Sequence, residues 1–245
     1  MLSLIIPTYN EKNNILLLIQ KVRETLAQLP YEIIVVDDDS PDGTWQSVAE
    51  VTSANLPVRL IRRTNERGLS SAVLHGFREA RGSQLAVMDA DHSHDVRLLP
   101  KMHQLIDQGE ADCVVGSRRV HGGGADKWPW HRKLYSEFAT LFARTFTGIS
   151  VRDPMSGFFC IRREIFENAE NQLKPKGYKV LLEILVKSKP KRLVELPYIF
   201  IDRKQDQSKL SLKVIFEFGS QLMDLLVYRL SQQQECLSYD KNHVF

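Results

Sequence analysis

Residues 2–39 read LSLIIPTYNEKNNILLLIQKVRETLAQLPYEIIVVDDD, and this stretch decides the fold class. Residues 2–8 and 31–39 are predicted to be strands, because both runs are short, β-branched and dominated by apolar side chains. Between them, residues 13–29 place apolar side chains at helical spacing. A strand, a helix and a second strand in this order predict two parallel strands joined by a crossover helix.

The same alternation continues along the chain. Further strands are predicted at residues 58–63, 84–91, 112–118, 157–161 and 193–201. Further helices are predicted at residues 44–51, 69–80, 98–106, 133–146 and 178–187. The strands of the first half are apolar enough to be covered on both faces. We therefore expect an α/β fold with a mostly parallel central sheet and helices on both faces.

The composition limits the classes of protein to which the chain can belong. It has 245 residues, which suits one large α/β domain or at most two small ones, and its formal net charge of +3 gives no support for a nucleic-acid partner. The sequence contains no uncharged apolar run of about 20 residues, and its start lacks the pattern of a signal peptide. Cys113, Cys160 and Cys236 are widely spaced, and we expect buried free thiols in a reducing compartment. A cytoplasmic protein, peripheral on a membrane, is expected.

The last part of the chain predicts an amphipathic helix. Residues 211–230 carry a broad apolar face interrupted by charged residues. Two interpretations stay open, a helix that packs on the core and a helix that lies on a membrane or a partner. We divide the chain into a domain at residues 1–210 and a C-terminal helix and tail at residues 211–245.

Polar side chains follow four of the predicted strands. They stand at residues 8–11, 37–40, 89–91 and 117–119. Ligands of open parallel sheets bind at the carboxyl ends of the strands, so these side chains predict a functional site. Asp89 and Asp91 project to the same side of an extended segment and could hold Mg²⁺ or Mn²⁺, with bound phosphates completing its shell. The first strand–helix junction has no glycine, which excludes a dinucleotide-binding turn.

Five segments together resemble a family-2 glycosyltransferase with the GT-A fold, whose nucleotide-sugar half is Rossmann-like. They are SLIIPTYNE (3–11), VVDDDSPDGT (35–44), GLSSAVLHGF (68–77), VMDAD (87–91) and DPMSGFF (153–159). More narrowly, the chain resembles the polyprenol-phosphate (dolichol-phosphate) mannosyltransferases over about residues 2–218. The resemblance implies an inverting transfer of mannose from GDP-mannose to a polyprenyl phosphate at the cytoplasmic face of a membrane. It also implies Mg²⁺ or Mn²⁺ as the cofactor.

The resemblance assigns roles to individual residues. Donor binding would fall to Pro7, Tyr9, Glu11, Val36, Asp38, Asp89, Ala90, Asp91, Lys179 and Arg203. The metal would be held by Asp89 and Asp91, with Ser93 as a further ligand. The acceptor phosphate would be bound by Arg118, Arg132, Ser136, Ser208 and Lys209. Catalysis is assigned to Asp91, Arg118 and Arg203.

Three positions depart from the family pattern. His92 stands where an apolar residue is usual, Asp95 where proline is common, and Gln207 where glycine is usual. The Gln207 departure puts in doubt the tightness of the turn that presents Ser208 and Lys209.

Asp153 keeps three roles open: a capping residue, a carboxylate that supports a neighbour, or a catalytic base. A phosphate acceptor is mostly dianionic at neutral pH and needs little help from a base, whereas a hydroxyl acceptor needs one.

Other functions also stay open. UDP-glucose or another nucleotide sugar could be the donor, with polyprenyl phosphate or a sugar hydroxyl as the acceptor. A non-catalytic nucleotide-binding subunit is the other class, against which the intact set of Asp89, Asp91 and Arg118 argues. A membrane-anchored partner subunit is left open. The loop at residues 121–130, with Trp128 and Trp130, is expected to be a lid that dips into lipid, or else to pack on the domain.

Overall fold

The computed structural model describes residues 1–52, 56–126, 128–174, 179–201 and 212–242. The strands in this part of the chain are β1 Leu2–Thr8, β2 Tyr31–Asp37, β3 Val58–Arg62, β4 Gln84–Val87, β5 Cys113–Ser117, β6 Gly124–Asp126, β7 Phe159–Arg162, β8 Leu193–Pro197 and β9 Ile199–Ile201. The α-helices are α1 Lys12–Thr25, α2 Thr44–Thr52, α3 Leu69–Glu79, α4 Leu99–Asp107, α5 Trp130–Thr147, α6 Arg163–Glu167, α7 Val180–Ser188 and α8 Leu212–Asn242.

Seven strands form one central sheet in the order β3-β2-β1-β4-β7-β5-β8. All neighbours pair in parallel except β7, which is antiparallel to both β4 and β5. The expected mostly parallel sheet is confirmed. The carboxyl ends of β1, β2, β4, β5 and β8 consequently meet at one edge, where the polar strand ends of the sequence lie.

Helices cover both faces of this sheet. Alternate residues of β1 separate into two cores, with Leu4 packed beneath α1, α2 and α4 and Ile5 packed beneath α3 and α7. Cys113 and Cys160 are buried and free within these cores, as expected, while the side chain of Cys236 lies outside the described residues.

The C-terminal helix shares a third, smaller core with the body of the protein. Leu222 and Leu225 of α8 pack with Ala143 of α5 and with Leu182 and Val186 of α7. The interpretation as a helix that packs on the core is therefore confirmed for these residues. Other side chains of α8 include large exposed apolar groups, and a membrane or partner surface stays a prediction.

Two expectations about the second half are wrong in detail. Residues 193–201 were expected to form one strand, but Tyr198 separates β8 from β9. Its N–H donates to the carbonyl of Ser117, and its own carbonyl accepts from the N–H of Gly124. The chain thereby leaves the large sheet, and β9 pairs in parallel with β6 in a small second sheet. The glycine loop at residues 121–125 is thus partly strand, which its composition does not predict.

Candidate active site

The loop after β2 is held by buried hydrogen bonds of its own aspartates. Asp37 accepts from the hydroxyl groups of Thr8 at 2.8 Å and Ser40 at 2.7 Å, so this buried carboxylate ties the ends of β1 and β2 together. Asp38 accepts from Arg63 Nε and from the N–H of Gly68, both at 2.7 Å. These two adjacent aspartates therefore fix the loops that follow β1, β2 and β3 at the edge of the site.

Two carboxylates follow β4, which ends at Val87 and not at residue 91 as predicted, so Asp89 and Asp91 lie in the loop after the strand. Asp89 is partly exposed, and a Cβ added to Gly157 would lie 2.9 Å from its Oδ2, so a larger residue at position 157 would shift this carboxylate. Asp91 Oδ1 accepts from the N–H of Ser93 at 3.0 Å and from its hydroxyl at 2.6 Å. Ser93 itself is buried and acts here as the support of Asp91.

Behind Asp89 lies a histidine in an aromatic setting. His94 Nδ1 accepts from the N–H of Asp89 at 3.2 Å, which places the ring proton on Nε2, 3.7 Å from Asp89 Oδ2. The imidazole stacks on Phe158 with 5.2 Å between the ring centroids. Tyr198 and Phe200 meet its edge. His94 therefore holds the backbone N–H of Asp89, and the surrounding aromatic rings keep the imidazole beside the Asp89 carboxylate.

A buried ion pair follows β5. Arg118 donates through Nε and Nη2 to the two oxygens of Asp153, at 2.7 and 2.8 Å, and its backbone N–H donates to the same carboxylate. Burial alone would raise the pKa of Asp153, but Arg118 holds that pKa below its ordinary value. Conversely, burial opposes charge on Arg118, and Asp153 raises the pKa of Arg118 above its ordinary value. Both groups are therefore charged at neutral pH.

The backbone beside this pair is also fixed. Glu195 on β8 accepts from the N–H groups of Arg152 and Asp153, at 2.8 and 3.0 Å. Ser156 donates to the carbonyl of Gly116 at 2.7 Å. The turn that carries Asp153 is thus tied to both β5 and β8.

Lys179 lies at the start of α7 beside the same charges. Burial lowers the pKa of its ammonium group, and Arg118 lowers it further, while Asp89 and Asp153 act in the opposite direction. The nearby carboxylates and cations thus belong to one electrostatic cluster. Tyr198, whose pKa is raised by burial, borders that cluster.

A second group of basic residues follows Arg118. Arg119 Nη2 donates to the Ser136 hydroxyl at 2.8 Å. The guanidinium of Arg132 lies over the ring of Trp128, with Cζ 4.4 Å from the centroid. Arg118 also approaches that ring, at 5.7 Å. Trp128 therefore stands between arginines, whereas Trp130 projects from the start of α5 and is 75% exposed.

The comparison with protein families decides the class. A model described as Glycosyl transferase family 2 matches residues 3–169, which is more than half of the chain. The chain is a family 2 glycosyltransferase. The expected membership of this family is confirmed.

Curated relatives of this glycosyltransferase include proteins named dolichol-phosphate mannosyltransferase. It is 47% identical over 218 residues to the dolichol-phosphate mannosyltransferase of Pyrococcus furiosus, covering 88% of this chain and 61% of that protein. It is 39% identical over 237 residues to the dolichol-phosphate mannosyltransferase of Saccharomyces cerevisiae, covering 93% and 87%. The resemblance to this subgroup is confirmed, although the chain spans less than two thirds of the archaeal relative.

Solved structures show the fold. Mannosyl-3-phosphoglycerate synthase from Rubrobacter xylanophilus has a TM-score of 0.68 at 18% identity, covering 96% of this chain and 75% of that one. The mannosyltransferase PcManGT from Pyrobaculum calidifontis, in complex with GDP-Man and Mn²⁺, has a TM-score of 0.58 at 20% identity, covering 84% and 58%. The glycosyltransferase therefore has the expected GT-A type fold.

The remaining donor residues of the sequence analysis lie around the first strands of the glycosyltransferase. Tyr9 is exposed and its hydroxyl accepts from Arg67 at 3.4 Å, while Glu11 accepts from the Asn14 amide at 2.7 Å. The side chains of Pro7, Val36 and Ala90 are buried. Arg203, Ser208 and Lys209 lie outside the described residues, and so does Gln207.

Two departures from the family pattern have local explanations. His92 has a φ of 60°, and its Nε2 lies 3.2 Å from the carbonyl oxygen of Asn14. Asp95 begins a short 3₁₀ turn at residues 96–98 and accepts from the N–H of Arg97 at 3.1 Å. Both substitutions therefore provide hydrogen bonds beside the carboxylate pair.

Sequence reasoning missed three residues of this site, Arg63, His94 and Tyr198, and it included Arg119 only within the polar strand end at residues 117–119, without a role. His94 follows Asp91 by three residues, and this closeness to the predicted metal carboxylates was the available signal. Arg119 follows the assigned Arg118 directly, and the doubled arginine was the available signal. No local pattern predicts the partners of Arg63 or Tyr198, since both depend on segments distant in sequence.

Proposed function

We propose that this glycosyltransferase moves mannose from GDP-mannose to a polyprenyl phosphate, with Mg²⁺ or Mn²⁺ as cofactor. The observation that carries the proposal is the charge arrangement at one edge of the sheet. Two strand-end carboxylates, Asp89 and Asp91, stand beside a group of basic residues that includes Arg118 and Lys179. The names of the curated relatives and the GDP-Man and Mn²⁺ of the Pyrobaculum structure support the donor and the metal.

The residues at the end of β4 fit a divalent metal. Carboxylate oxygens are the ligands that Mg²⁺ and Mn²⁺ prefer. Among the described residues no group of three or more His, Cys, Asp or Glu side chains could hold a metal ion alone. Asp89 and Asp91 would therefore hold it together with oxygens of the donor diphosphate. A metal bound there supplies positive charge that stabilises the departing nucleoside diphosphate.

The basic residues would bring the two anionic substrates together. An oxygen of the acceptor phosphate attacks the anomeric carbon of mannose, and the bond from that carbon to the diphosphate breaks, so that GDP leaves with the electron pair. Donor and acceptor are both anions, and Arg118, Arg132 and Lys179 would offset their repulsion. Asp153 would hold Arg118 in place instead of acting as a base, because the guanidinium occupies both of its oxygens.

The acceptor side continues into an apolar helix surface. Exposed large apolar side chains line α5 and α8, namely Trp130, Leu134, Tyr135, Phe138, Leu141, Phe142, Phe216, Met223, Val227 and Leu230. We call them the apolar face. It starts beside Arg132, so a lipid tail could lie along it while its phosphate meets the arginines. A position on the cytoplasmic face of a membrane, with or without a membrane-anchored partner, is part of the proposal. None of the described helices is both long and apolar enough to span a bilayer.

The release of GDP tests the proposed function. Wild-type protein with Mn²⁺ and GDP-mannose should release GDP at least about tenfold faster when polyprenyl phosphate is added, and UDP-glucose should not replace the donor. Equal rates with and without lipid phosphate would contradict the acceptor. A preference for UDP-glucose, or nucleotide binding without any release, would support one of the alternative functions.

Replacing Gly157 should disturb the metal site. Gly157→Ala would place a Cβ 2.9 Å from Asp89 Oδ2, and the carboxylate would have to move. We expect the Mn²⁺ concentration for half-maximal rate to rise at least about tenfold, since misplacement of a reacting group is costly. The matched control is Gly219→Ala on α8, where an added Cβ meets nothing within 4 Å. An unchanged Mn²⁺ dependence in folded Gly157→Ala would remove Asp89 from the metal site.

Vesicle flotation should report on the apolar face. Trp130→Ser combined with Phe138→Ser should reduce the bound fraction about tenfold or more, because each large apolar side chain contributes about 1.5–3 kcal/mol on burial. The control is Leu16→Ser combined with Leu17→Ser, which removes exposed apolar side chains of α1. Equal losses in both double variants would show that the apolar face has no special role.

A further inference from the structure

A cavity of about 430 Å³ lies at the edge of the sheet opposite to the active site. Thr147 and Gly148 at the end of α5, Lys189 after α7 and Leu193 at the start of β8 line it. A helix rises about 1.5 Å per residue, and α5 has 18 residues with Arg132 near its start. The cavity is therefore about 25 Å from the arginines of the active site.

Three cationic side chains line this cavity, Lys189, Lys191 and Arg229, and none of its lining residues that the structure describes is acidic. Arg229 Nη1 donates to the carbonyl of Phe146 at 3.2 Å, at the end of α5. Within the described part of the chain, neither lysine ammonium group has a hydrogen bond or an ion pair. The carboxyl-terminal ends of α5 and α7 each contribute about half a negative charge, so about two positive charges remain for an anion.

The backbone around the cavity holds these cations in place. Gly148 has a φ of 70°, and a Cβ added there would lie 2.5 Å from Arg229 Cζ, so the guanidinium lies directly against the end of α5. Lys189 has a φ of 46° after the last turn of α7, in a left-handed conformation that glycine usually adopts. A lysine in this conformation is strained, and such strain points to a role for its side chain.

The surroundings of the cavity favour the phosphate of a lipid over a soluble anion. The ring of Phe146 stacks on Phe142 of the apolar face, with 5.9 Å between the ring centroids. Leu230 of the same face follows Arg229 directly and is 50% exposed. Cationic side chains at the border of an apolar helix surface fit a molecule with an anionic head and an apolar tail. A water molecule occupies about 30 Å³ in the liquid, so the cavity has room for a phosphate group.

We propose that Lys189, Lys191 and Arg229 bind the phosphate of an anionic membrane phospholipid at the end of the apolar face that is remote from the active site. This lipid is a different molecule from the acceptor, because the length of α5 lies between the two places. Lipid contacts at both ends of the apolar face keep α5 and α8 along the bilayer surface. The inference rests on the proposed function for the membrane location and is independent of the reaction.

Vesicle flotation tests this site without turnover. The vesicles contain phosphatidylcholine alone or phosphatidylcholine mixed with phosphatidylglycerol, which is anionic. Lys189→Gln combined with Lys191→Gln should weaken binding to the anionic vesicles about tenfold or more, because each lysine near an anionic surface adds to the attraction. Binding to the neutral vesicles should stay within about twofold of the wild type, since the apolar face is intact.

The control makes the same change in charge on the other face of the sheet. Lys21→Gln combined with Lys101→Gln alters exposed lysines of α1 and α4. This variant should bind the anionic vesicles within about twofold of the wild type. Melting temperatures show that both double variants are folded.

Glycerol phosphate, the headgroup without its tails, distinguishes a lipid from a soluble phosphate. Calorimetry should show its affinity for the wild type to be at least about tenfold weaker than that of the anionic vesicles, which add apolar contact. Binding of glycerol phosphate that depends on Lys189 and Lys191, without an effect of these lysines on flotation, would assign the cavity to a soluble phosphate and overturn the inference.

The other results separate this inference from the proposed function. Equal losses in the two double variants would show that only the overall charge matters, and unchanged flotation of the Lys189 and Lys191 variant would show no lipid contact. Either result would overturn the inference even if the wild type transfers mannose. Wild type that binds anionic vesicles through these lysines but transfers no mannose would support the cavity and contradict the proposed function.

Discussion

Asp91→Ala should lower the rate of mannose transfer at least about a thousandfold at saturating Mn²⁺. Asp91 stands at the end of β4 with its carboxylate oriented by Ser93, and the proposed metal would lose one of its two protein carboxylates. Charge stabilisation by a metal contributes several kcal/mol to a transition state, and each 1.36 kcal/mol changes a rate about tenfold. The measurement is the initial rate of GDP release, taken alongside the melting temperature.

The matched control for this prediction is Asp107→Ala, which changes an exposed aspartate at the end of α4. Its rate should stay within about twofold of the wild type. If Asp91→Ala folds normally and keeps more than about a tenth of the activity, the metal site lies elsewhere.

Asp153→Asn should lower the melting temperature of the protein, in addition to any effect on the rate of mannose transfer. Asp153 is fully buried and neutralises Arg118, whose side chain is only 16% exposed. Removing one partner of a buried ion pair leaves an uncompensated charge and costs about 3–5 kcal/mol. For a chain of this size we expect the melting temperature to fall by about 10 °C. A melting temperature within about 2 °C of the wild type would contradict the buried pair.

The same pair predicts a pH dependence. The pKa of Asp153 is lower in the folded protein than in the unfolded chain. The ionised carboxylate therefore contributes fully to the free energy of unfolding above the ordinary aspartate pKa. That contribution is lost as the pH falls through the folded-state pKa. The difference in melting temperature between wild type and Asp153→Asn should be constant from about pH 5 to 8 and narrow below about pH 4. A difference in melting temperature that grows as the pH falls would contradict a lowered pKa of Asp153.

The sequence predicts the sheet and its acidic edge well, for a physical reason. Apolar runs such as residues 33–36 must be buried, and a carboxylate directly after a strand must lie at the strand's end. Asp89 and Asp91 could therefore be named from local pattern alone. The role of Arg118 came only from the family resemblance, and no single arginine could be distinguished from a solvated one.

What the sequence could not predict depends on contacts between distant segments. Asp153 is 35 residues from Arg118, so its three possible roles stayed open until the two side chains were seen together. The residues around Tyr198 have no pattern that separates β8 from β9. The hydrogen bond from Arg119 to Ser136 is likewise a property of packing, which residue type does not encode.

The product formed from GDP-mannose tests the central claim most directly. Wild-type protein, Mn²⁺, GDP-mannose and a polyprenyl phosphate are incubated together, and the lipid fraction is analysed by ¹H and ³¹P nuclear magnetic resonance. We predict a phosphodiester in which the anomeric carbon of mannose is bonded to the lipid phosphate with configuration opposite to that in the donor. Mannose attached to a hydroxyl group, a retained configuration, or no lipid product in the presence of bound GDP-mannose would contradict the account.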